Sequence, residues 1–431
     1  MKVSRYLARV KSFKTNNPTA ANYAIDGILV FGAVNLAASN NNLFAQRLGA
    51  GDFHLAMIQF LPHMLNLFLL IPAGLFADSL ANKGRMLSGA LVAAAVFFLA
   101  GGLAGFTAVE PLFLFLAFLA LANASIMLYN ISWQGYFPEV VEDGRRNSVL
   151  TLRARMGILV SLVIPLVSGG VLTMIPSERG KIFAHQFLYG VVAAFLLVNA
   201  VHLQKIKAVN PAHPKKIRLE EIKKAGSRLL NNKKFKIFAG VALFFHMTWH
   251  IDWTLYFIGQ ANYLNMNEFQ LGLAAVGSTA AQFATLRFWS KRNQRYGPEK
   301  PLTFGILGLT LNPIVMIVAT SLPIFIGPTA FLVMHTISML TFATIGLNLF
   351  QCLMPVLDEE YRSFSISVYT CLTTLSNAVM PVVGVAIYRG LGGGLDGLRM
   401  VFTIVFVLRI IAAGLWWLRA KRNCNATVTP L

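Results

Sequence analysis

Four aromatic and imidazole side chains occur at helical spacing within one long apolar segment. His246, Trp249, His250 and Trp253 fall at positions i, i+3, i+4 and i+7, so they share one face of a helix. Imidazoles form hydrogen bonds and can change protonation near neutral pH, and indoles stack on flat or cationic groups. This face is suited to binding a ring-containing ligand. Packing between helices, with hydrogen-bonded histidines, is the alternative interpretation.

Further polar side chains extend this candidate surface. Tyr256 continues the same helix face, and Asp252 lies on its flank. Polar residues within apolar segments usually face a helix bundle or a wet cavity, because contact with lipid is costly. The candidate ligand-binding residues in other apolar segments are Asn35, His63, Asn123, Asn130 and His335.

Three of the polar residues within apolar segments are candidates for proton exchange: Asp26, Asp252 and His250. Asp26 lies inside the first apolar segment, about one turn from its N-terminal end. Arg153 and Arg155 lie at a similar depth in the fifth segment. Two roles of Asp26 are therefore equally open: a structural ion pair with either arginine, or proton coupling.

The segments that carry these residues are long enough to cross a membrane. The 431-residue chain is 56% hydrophobic and 13% charged, about half the charged fraction of a typical soluble protein. Apolar stretches of the length needed to cross a bilayer recur along it. They predict an all-α membrane protein with twelve transmembrane helices, at residues 22–45, 54–77, 86–106, 111–134, 148–174, 183–204, 237–260, 269–290, 301–321, 326–350, 363–388 and 396–418.

The basic residues of the loops indicate how these helices are oriented. Of 37 lysines and arginines, 31 fall on the same side as the N-terminus and five on the opposite side. Cytoplasmic loops carry the excess of basic residues, so both termini are predicted to be cytoplasmic. The asymmetry also explains the net charge of +20, and nucleic acid is not expected as a partner.

The two halves of the chain resemble each other at an offset of about 216 residues. Pro165 and Pro381 match at this offset, as do Phe53 and Phe269. Six helices in each half return the chain to its starting side, so the repeats are predicted to be parallel. The predicted domains are a six-helix half at 1–204, a basic cytoplasmic linker at 205–236 with a short amphipathic helix, and a second half at 237–431.

The first cytoplasmic hairpin, GLFADSLANKGRM, has a Gly, an Asp four residues later, and a Gly followed by a basic residue. It resembles the signature of the major facilitator superfamily, and PEVVEDGRRNS at 138–148 is similar to that family's loop between spans four and five. The resemblance implies a cytoplasmic gate; a basic hairpin that only sets topology is the alternative. The implied gating residues are Gly74, Asp78, Gly84, Arg85 and Arg146.

The same resemblance implies secondary active transport of a small solute by alternating access, with protons as the expected coupling ion. The fifth segment, GILVSLVIPLVSGGVL, is similar to a pattern found in proton-driven exporters and favours export. The aromatic and amide residues favour a small amphipathic or ring-containing substrate. Uptake of a nutrient such as a sugar is one alternative, and a non-transporting membrane receptor on the same scaffold is another.

Several functions are disfavoured by what the sequence lacks. It has no GxxxxGK[ST] loop for ATP, no HExxH motif and no nucleophile elbow, and its three cysteines fit no zinc or redox spacing. We therefore expect neither an enzyme nor a resident cofactor or metal. The expected protein is a monomer in the bacterial cytoplasmic membrane, with a small-molecule substrate, lipid and protons as its partners.

Overall fold

The computed structural model describes residues 18–79, 83–107, 110–206, 219–357 and 362–426, and its regular elements there are all helical. The α-helices are α1 (Pro18–Arg47), α2 (Asp52–Ser79), α3 (Lys83–Leu103), α4 (Pro111–Val140), α5 (Asp143–Met174), α6 (Glu178–Leu203), α7 (Leu219–Asn231), α8 (Lys233–His250), α9 (Trp253–Ile258), α10 (Glu268–Tyr296), α11 (Glu299–Leu309), α12 (Leu311–Ser321), α13 (Gly327–Ser338), α14 (Ala343–Leu353), α15 (Arg362–Gly390) and α16 (Gly394–Ala426). Short 3₁₀ or π turns extend α3, α9, α13 and α14. The predicted fold class, an all-α membrane protein, is confirmed at this level.

Within the described residues, ten helical segments are long and apolar enough to cross a membrane. Each overlaps one of the predicted spans. The predicted spans 237–260 and 269–290 also fall on helices, but these are not among the ten. The first is interrupted between α8 and α9, and the second contains polar residues within its length, including Ser278, Thr279 and Gln282. Twelve spans and cytoplasmic termini therefore stay predictions.

The chain forms two compact units, each with its own core. The first comprises Met1–Gly49 and Leu65–Ile217, and the second comprises Ala50–Met64 and Arg218–Leu431. The predicted linker helix exists as α7, in the second unit, and Leu229 on that helix packs into the core of the unit. The predicted domain boundaries at residues 204 and 237 depend on the number of spans in each half, and they stay a prediction.

In the first unit, α3 packs against α4 and α6, and α1 packs against α5 and α6. Glycine allows two of these helix pairs to approach closely. A Cβ atom on Gly102 of α3 would lie 2.6 Å from Cβ of Tyr189 on α6, and one on Gly157 of α5 would lie 2.6 Å from the ring of Phe31 on α1. Small residues at helix crossings are the usual means of close packing between membrane helices. The crossings fix the polar side chains of α1, α4 and α5 near one another.

In the second unit, α8 packs against α15 and α16, while α11 and α12 pack against α16. The core between them is aromatic and aliphatic, with Phe238, Phe245 and Trp416 fully buried. Asn232 caps the start of α8, because its side-chain oxygen accepts a hydrogen bond from the backbone N–H of Phe235 at 3.0 Å. These contacts hold α8 and therefore the face that carries its histidines.

Candidate functional site

The histidine and tryptophan face predicted in span seven forms a continuous row of rings on α8 and the start of α9. The ring centroids of His246 and His250 lie 5.2 Å apart, and those of His250 and Trp253 lie 4.6 Å apart. Trp249 lies 5.1 Å from His250 and 5.8 Å from Trp253. Both histidines are buried and both tryptophans are half-buried. The row therefore offers aromatic faces together with imidazole nitrogens.

Helix α15 supplies the hydrogen-bond partners of both histidines. The Tyr369 hydroxyl lies 3.1 Å from Nε2 of His246, and the Ser376 hydroxyl lies 3.0 Å from Nδ1 of His250. The sequence prediction did not include Tyr369 or Ser376. A usable signal was present, since the two are seven residues apart and so share one face of α15. These hydroxyls fix the two imidazole planes.

Two further predicted residues, Tyr256 and His335, face each other at the far end of this row. Their ring centroids lie 6.3 Å apart. Phe331 stacks on His335 with a centroid distance of 5.2 Å and an interplanar angle of 11°. Among the described residues, Nδ1 of His246 and Nδ1 of His335 are buried with no hydrogen-bond partner. A buried polar atom without a partner is costly, so both nitrogens are suited to binding a polar group of a ligand.

The predicted span seven is broken directly after His250. Helix α8 ends there, and α9 begins at Trp253 after a turn at Ile251 and Asp252. Gly384 on α15 lies against this turn, and a Cβ atom there would overlap the carbonyl oxygen of Ile251. The close approach of α15 is possible because Gly384 has no side chain.

Arg409 from α16 stabilises this break. Its Nη2 group lies 2.8 Å from both carboxylate oxygens of Asp252. The guanidinium also donates to the carbonyl oxygens of Thr248 at 3.1 Å and of Trp249 at 3.2 Å. These carbonyls belong to the last turn of α8, where the helix no longer provides N–H donors. Because Asp252 and Arg409 are 0% and 1% exposed, Arg409 neutralises a buried acid and caps a helix end at once.

In the first unit, Asp26 is the centre of a buried hydrogen-bond network. Its carboxylate accepts from Nε of Arg153 at 2.9 Å, from the Tyr129 hydroxyl at 2.6 Å and from Nδ2 of Asn199 at 2.9 Å. The guanidinium of Arg153 lies 4.1 Å from the ring centroid of Trp133. Of the two arginines left open by the sequence, Arg153 forms the pair, whereas the side chain of Arg155 is exposed.

The predicted amide residues of α1 and α4 bond to their own helices. Nδ2 of Asn35 donates to the carbonyl of Phe31 at 2.8 Å, and Nδ2 of Asn123 donates to that of Leu119 at 2.8 Å. Both side chains are half-buried, whereas Asn130 is exposed. In the second unit, Nδ1 of His63 lies 2.8 Å from the carbonyl oxygen of Gln59. Asn35, Asn123 and His63 thus have ordinary intrahelical bonding, and each retains a further atom for a ligand.

The predicted gating residues are described only in part. Gly74 and Asp78 belong to α2, but the surroundings of Gly74 and the side chain of Asp78 are outside the described part of the structure. Gly84 and Arg85 lie in the first turn of α3, where Arg85 is exposed. Arg146 donates to the carbonyls of Val141 at 3.0 Å and Pro138 at 2.8 Å, and so caps the C-terminal end of α4.

A buried ion pair that the sequence did not predict lies beside this hairpin. Nζ of Lys83 is 2.5 Å from Oε1 of Glu139, and both side chains are less than a tenth exposed. The pair joins the first turn of α3 to the last turn of α4. Lys83 occupies the place before Gly84, where the sequence indicated only a basic residue. A buried charge needs a partner, so a buried Lys83 requires an acid beside it. Only the packing of α3 against α4 shows that this acid is Glu139.

The sequence profile of the major facilitator superfamily matches residues 24–381. The chain belongs to the major facilitator superfamily. No curated protein sequence shows significant similarity to it. The predicted family is thus confirmed over most of the chain.

Solved structures of this superfamily share the fold. A bacterial homolog of the human lysosomal transporter Spinster, in an inward-facing and occupied conformation, matches with a TM-score of 0.66 at 13% identity and covers 95% of this chain and 97% of its own. The nucleoside transporter NupG matches with a TM-score of 0.68 at 12% identity, covering 92% and 98%. A D-xylose-proton symporter matches with a TM-score of 0.65 at 13% identity, covering 92% and 96%. Identities this low show the fold alone.

Membership in the major facilitator superfamily gives the general class of the protein. It is a multi-pass integral membrane protein with a transporter fold, and its partners are a small-molecule substrate and membrane lipid. The family indicates a transporter and not an enzyme. The substrate, the direction of transport and the coupling ion must be inferred from the site residues.

Proposed function

We propose that this member of the major facilitator superfamily is a secondary active transporter of a small ring-containing solute, with twelve spans and both termini in the cytoplasm. It works by alternating access, in which the solute site opens to one side of the membrane at a time. The observation that supports this proposal is the row of His246, Trp249, His250 and Trp253 with an unpartnered buried nitrogen on His246. Indole and imidazole faces stack on a ring, and the free nitrogen binds its polar edge.

We further propose that transport is coupled to protons and that His250 carries the proton. Asp26 accepts a hydrogen bond from the half-buried Arg153, and Asp252 accepts from the buried Arg409, so neutralising either acid would leave a cation without its counter-charge. His250 is bonded instead to the neutral hydroxyl of Ser376, so release of a proton from His250 leaves no buried ion without its counter-charge. Histidine is also the side chain whose unperturbed pKa lies near neutral pH.

The direction we propose is export. It is supported by Pro165, Gly169 and Gly170 in α5, which are similar to the span-five pattern of proton-driven exporters. Uptake of a sugar is the second candidate, and the amides support it. The side-chain oxygens of Asn35 and Asn123 remain able to accept hydrogen bonds from sugar hydroxyls, because only Nδ2 of each is used within its helix.

The decisive experiment is transport in proteoliposomes with and without a pH gradient, with nucleosides, aromatic amines and pentoses as solutes. We expect a ring-containing solute to move only when the gradient is present. His250→Ala with Trp253→Ala should weaken its binding about tenfold, because two aromatic contacts contribute about 0.5–1.5 kcal/mol each beyond their area. Met247→Ala on the exposed face of α8 is the matched control.

Three outcomes would count against the proposal. If the protein transported none of the solutes under any gradient, the alternative of a non-transporting membrane receptor would be favoured. Pentose uptake that is lost in Asn35→Ala and kept in His250→Ala would favour the second candidate. Unchanged binding in the double variant would show that the aromatic row only packs helices together.

A further inference from the structure

A groove on the outer surface of the second unit joins an apolar wall to a basic end. It has a volume of about 700 Å³ and runs between α11 and α16. Phe304 and Leu307 form one wall, and Ile410 and Trp417 form the other. All four side chains are exposed, Phe304 at 62% and Trp417 at 54%. The volume lies within the range of about 300–1,000 Å³ that is usual for small-molecule sites.

The two lysines of the groove lie at the same end of it. Lys300 belongs to the first turn of α11 and Lys421 to the last turns of α16, and both line the groove. Both side chains are exposed, and Nζ of Lys421 lies 5.4 Å from the ring centroid of Trp417. Helical spacing explains the arrangement. Residues 300, 303, 304 and 307 share one face of α11, and 410, 413, 414, 417 and 421 share one face of α16.

Glu299, the neighbour of Lys300 in the sequence, is already paired. Oε1 of Glu299 lies 3.1 Å from Nη1 of Arg419, and the side chain of Arg419 is 8% exposed. Glu299 therefore does not cancel the charge of Lys300, and the end of the groove carries the charge of two lysines. Charged lysines at the end of an apolar groove are complementary to a ligand with an anionic head and an apolar tail.

We propose that this groove is a binding site for an anionic phospholipid, with its phosphate at Lys300 and Lys421 and one acyl chain along Phe304 and Trp417. The predicted orientation supports this choice, since it places both lysines on the cytoplasmic side, where anionic lipids attract basic residues. Gly414 lies in the groove, and a Cβ atom there would meet no other atom within 4 Å. Its missing side chain leaves the depth that the acyl chain occupies.

The head-group part of the site is tested by native mass spectrometry of the full chain in detergent, titrated with phosphatidylglycerol and phosphatidylcholine of the same acyl length. We expect the chain to prefer phosphatidylglycerol. Lys300→Gln with Lys421→Gln should lower that preference about thirtyfold, which corresponds to about 1 kcal/mol for each lysine. Lys233→Gln with Lys234→Gln removes the same charge from exposed positions of α8 and should keep the preference.

The acyl-chain part is tested with both lysines intact. Gly414→Leu fills the groove and should lower binding of both lipids, whereas Gly240→Leu, at an exposed position of α8 with equally open space, should not. Equal affinity for the two lipids in the unaltered chain would overturn the proposal. So would an equal loss in the Lys233 and Lys234 control, or full phosphatidylglycerol binding by Gly414→Leu. The readout is lipid binding, so it does not depend on transport.

Discussion

Replacing Arg409 by methionine tests the account of the broken span most directly. The change keeps a long side chain but leaves the buried Asp252 carboxylate without its cation, and removal of one partner from a buried ion pair costs about 3–5 kcal/mol. Arg409 also donates to the carbonyls of Thr248, Trp249 and Leu309. Hydrogen bonds within membranes average about 0.6 kcal/mol, so these three add about 2 kcal/mol. We expect Arg409→Met to lower the free energy of unfolding by about 5 kcal/mol or more.

The partner variant should cost less. In Asp252→Asn the buried arginine loses its counter-charge but keeps its three carbonyl acceptors, so the expected loss is about 3–5 kcal/mol, without the further loss of those hydrogen bonds. The double variant should be no less stable than Arg409→Met alone, because the uncompensated carboxylate is absent from it. The difference from additivity should exceed about 1 kcal/mol.

The measurement is reversible unfolding in mixed detergent micelles, followed by tryptophan fluorescence, for the four members of this cycle. Arg155→Met is the matched control, since Arg155 is exposed and should change the free energy by no more than about 0.5 kcal/mol. The reasoning would be refuted by a loss below about 1 kcal/mol in Arg409→Met. It would equally be refuted by additive effects of the two substitutions, which would mean that the groups act independently.

Three further predictions concern the other buried contacts. Asp26→Asn should lower the free energy of unfolding by about 3 kcal/mol, measured as above, because it leaves the half-buried Arg153 without its acid. An unchanged free energy would favour a role of Asp26 in proton coupling instead. Lys83→Met should destabilise the first unit by about 3–5 kcal/mol, and limited proteolysis that shows no new cleavage at the end of α4 would contradict this. Gly384→Ala should reduce the yield of folded protein on size-exclusion chromatography, since its Cβ would collide with the carbonyl of Ile251. Gly240→Ala, in open space, is the control and should leave that yield unchanged.

The helices and the family could be read from the sequence because hydropathy and a local hairpin pattern need no knowledge of neighbours. The same holds for the ring row, since the spacing of His246 and His250 already places them on one helix face. Their partners could not be read in this way. Nothing local shows that α15 packs on α8, so Tyr369 and Ser376 were missed.

The break after His250 was missed for a different reason. The sequence around it, TWHIDWT, contains neither proline nor glycine, which are the usual local causes of an interrupted helix. The turn depends on Gly384 and Arg409, which are distant in the chain. The choice between Arg153 and Arg155 also needed the structure. Two residues apart on a helix they point in nearly opposite directions, and only packing shows which one meets α1.

The distance in sequence between Asp252 and Arg409 has a consequence for synthesis. The two residues are 157 positions apart, and Arg409 lies in the last helix. While the ribosome extends the chain through α9–α15, the Asp252 carboxylate and the carbonyls at the end of α8 have no arginine to bind. The second unit therefore cannot complete its fold until α16 enters the membrane, and a nascent chain released before that helix should be recognised by quality-control proteases as unfinished.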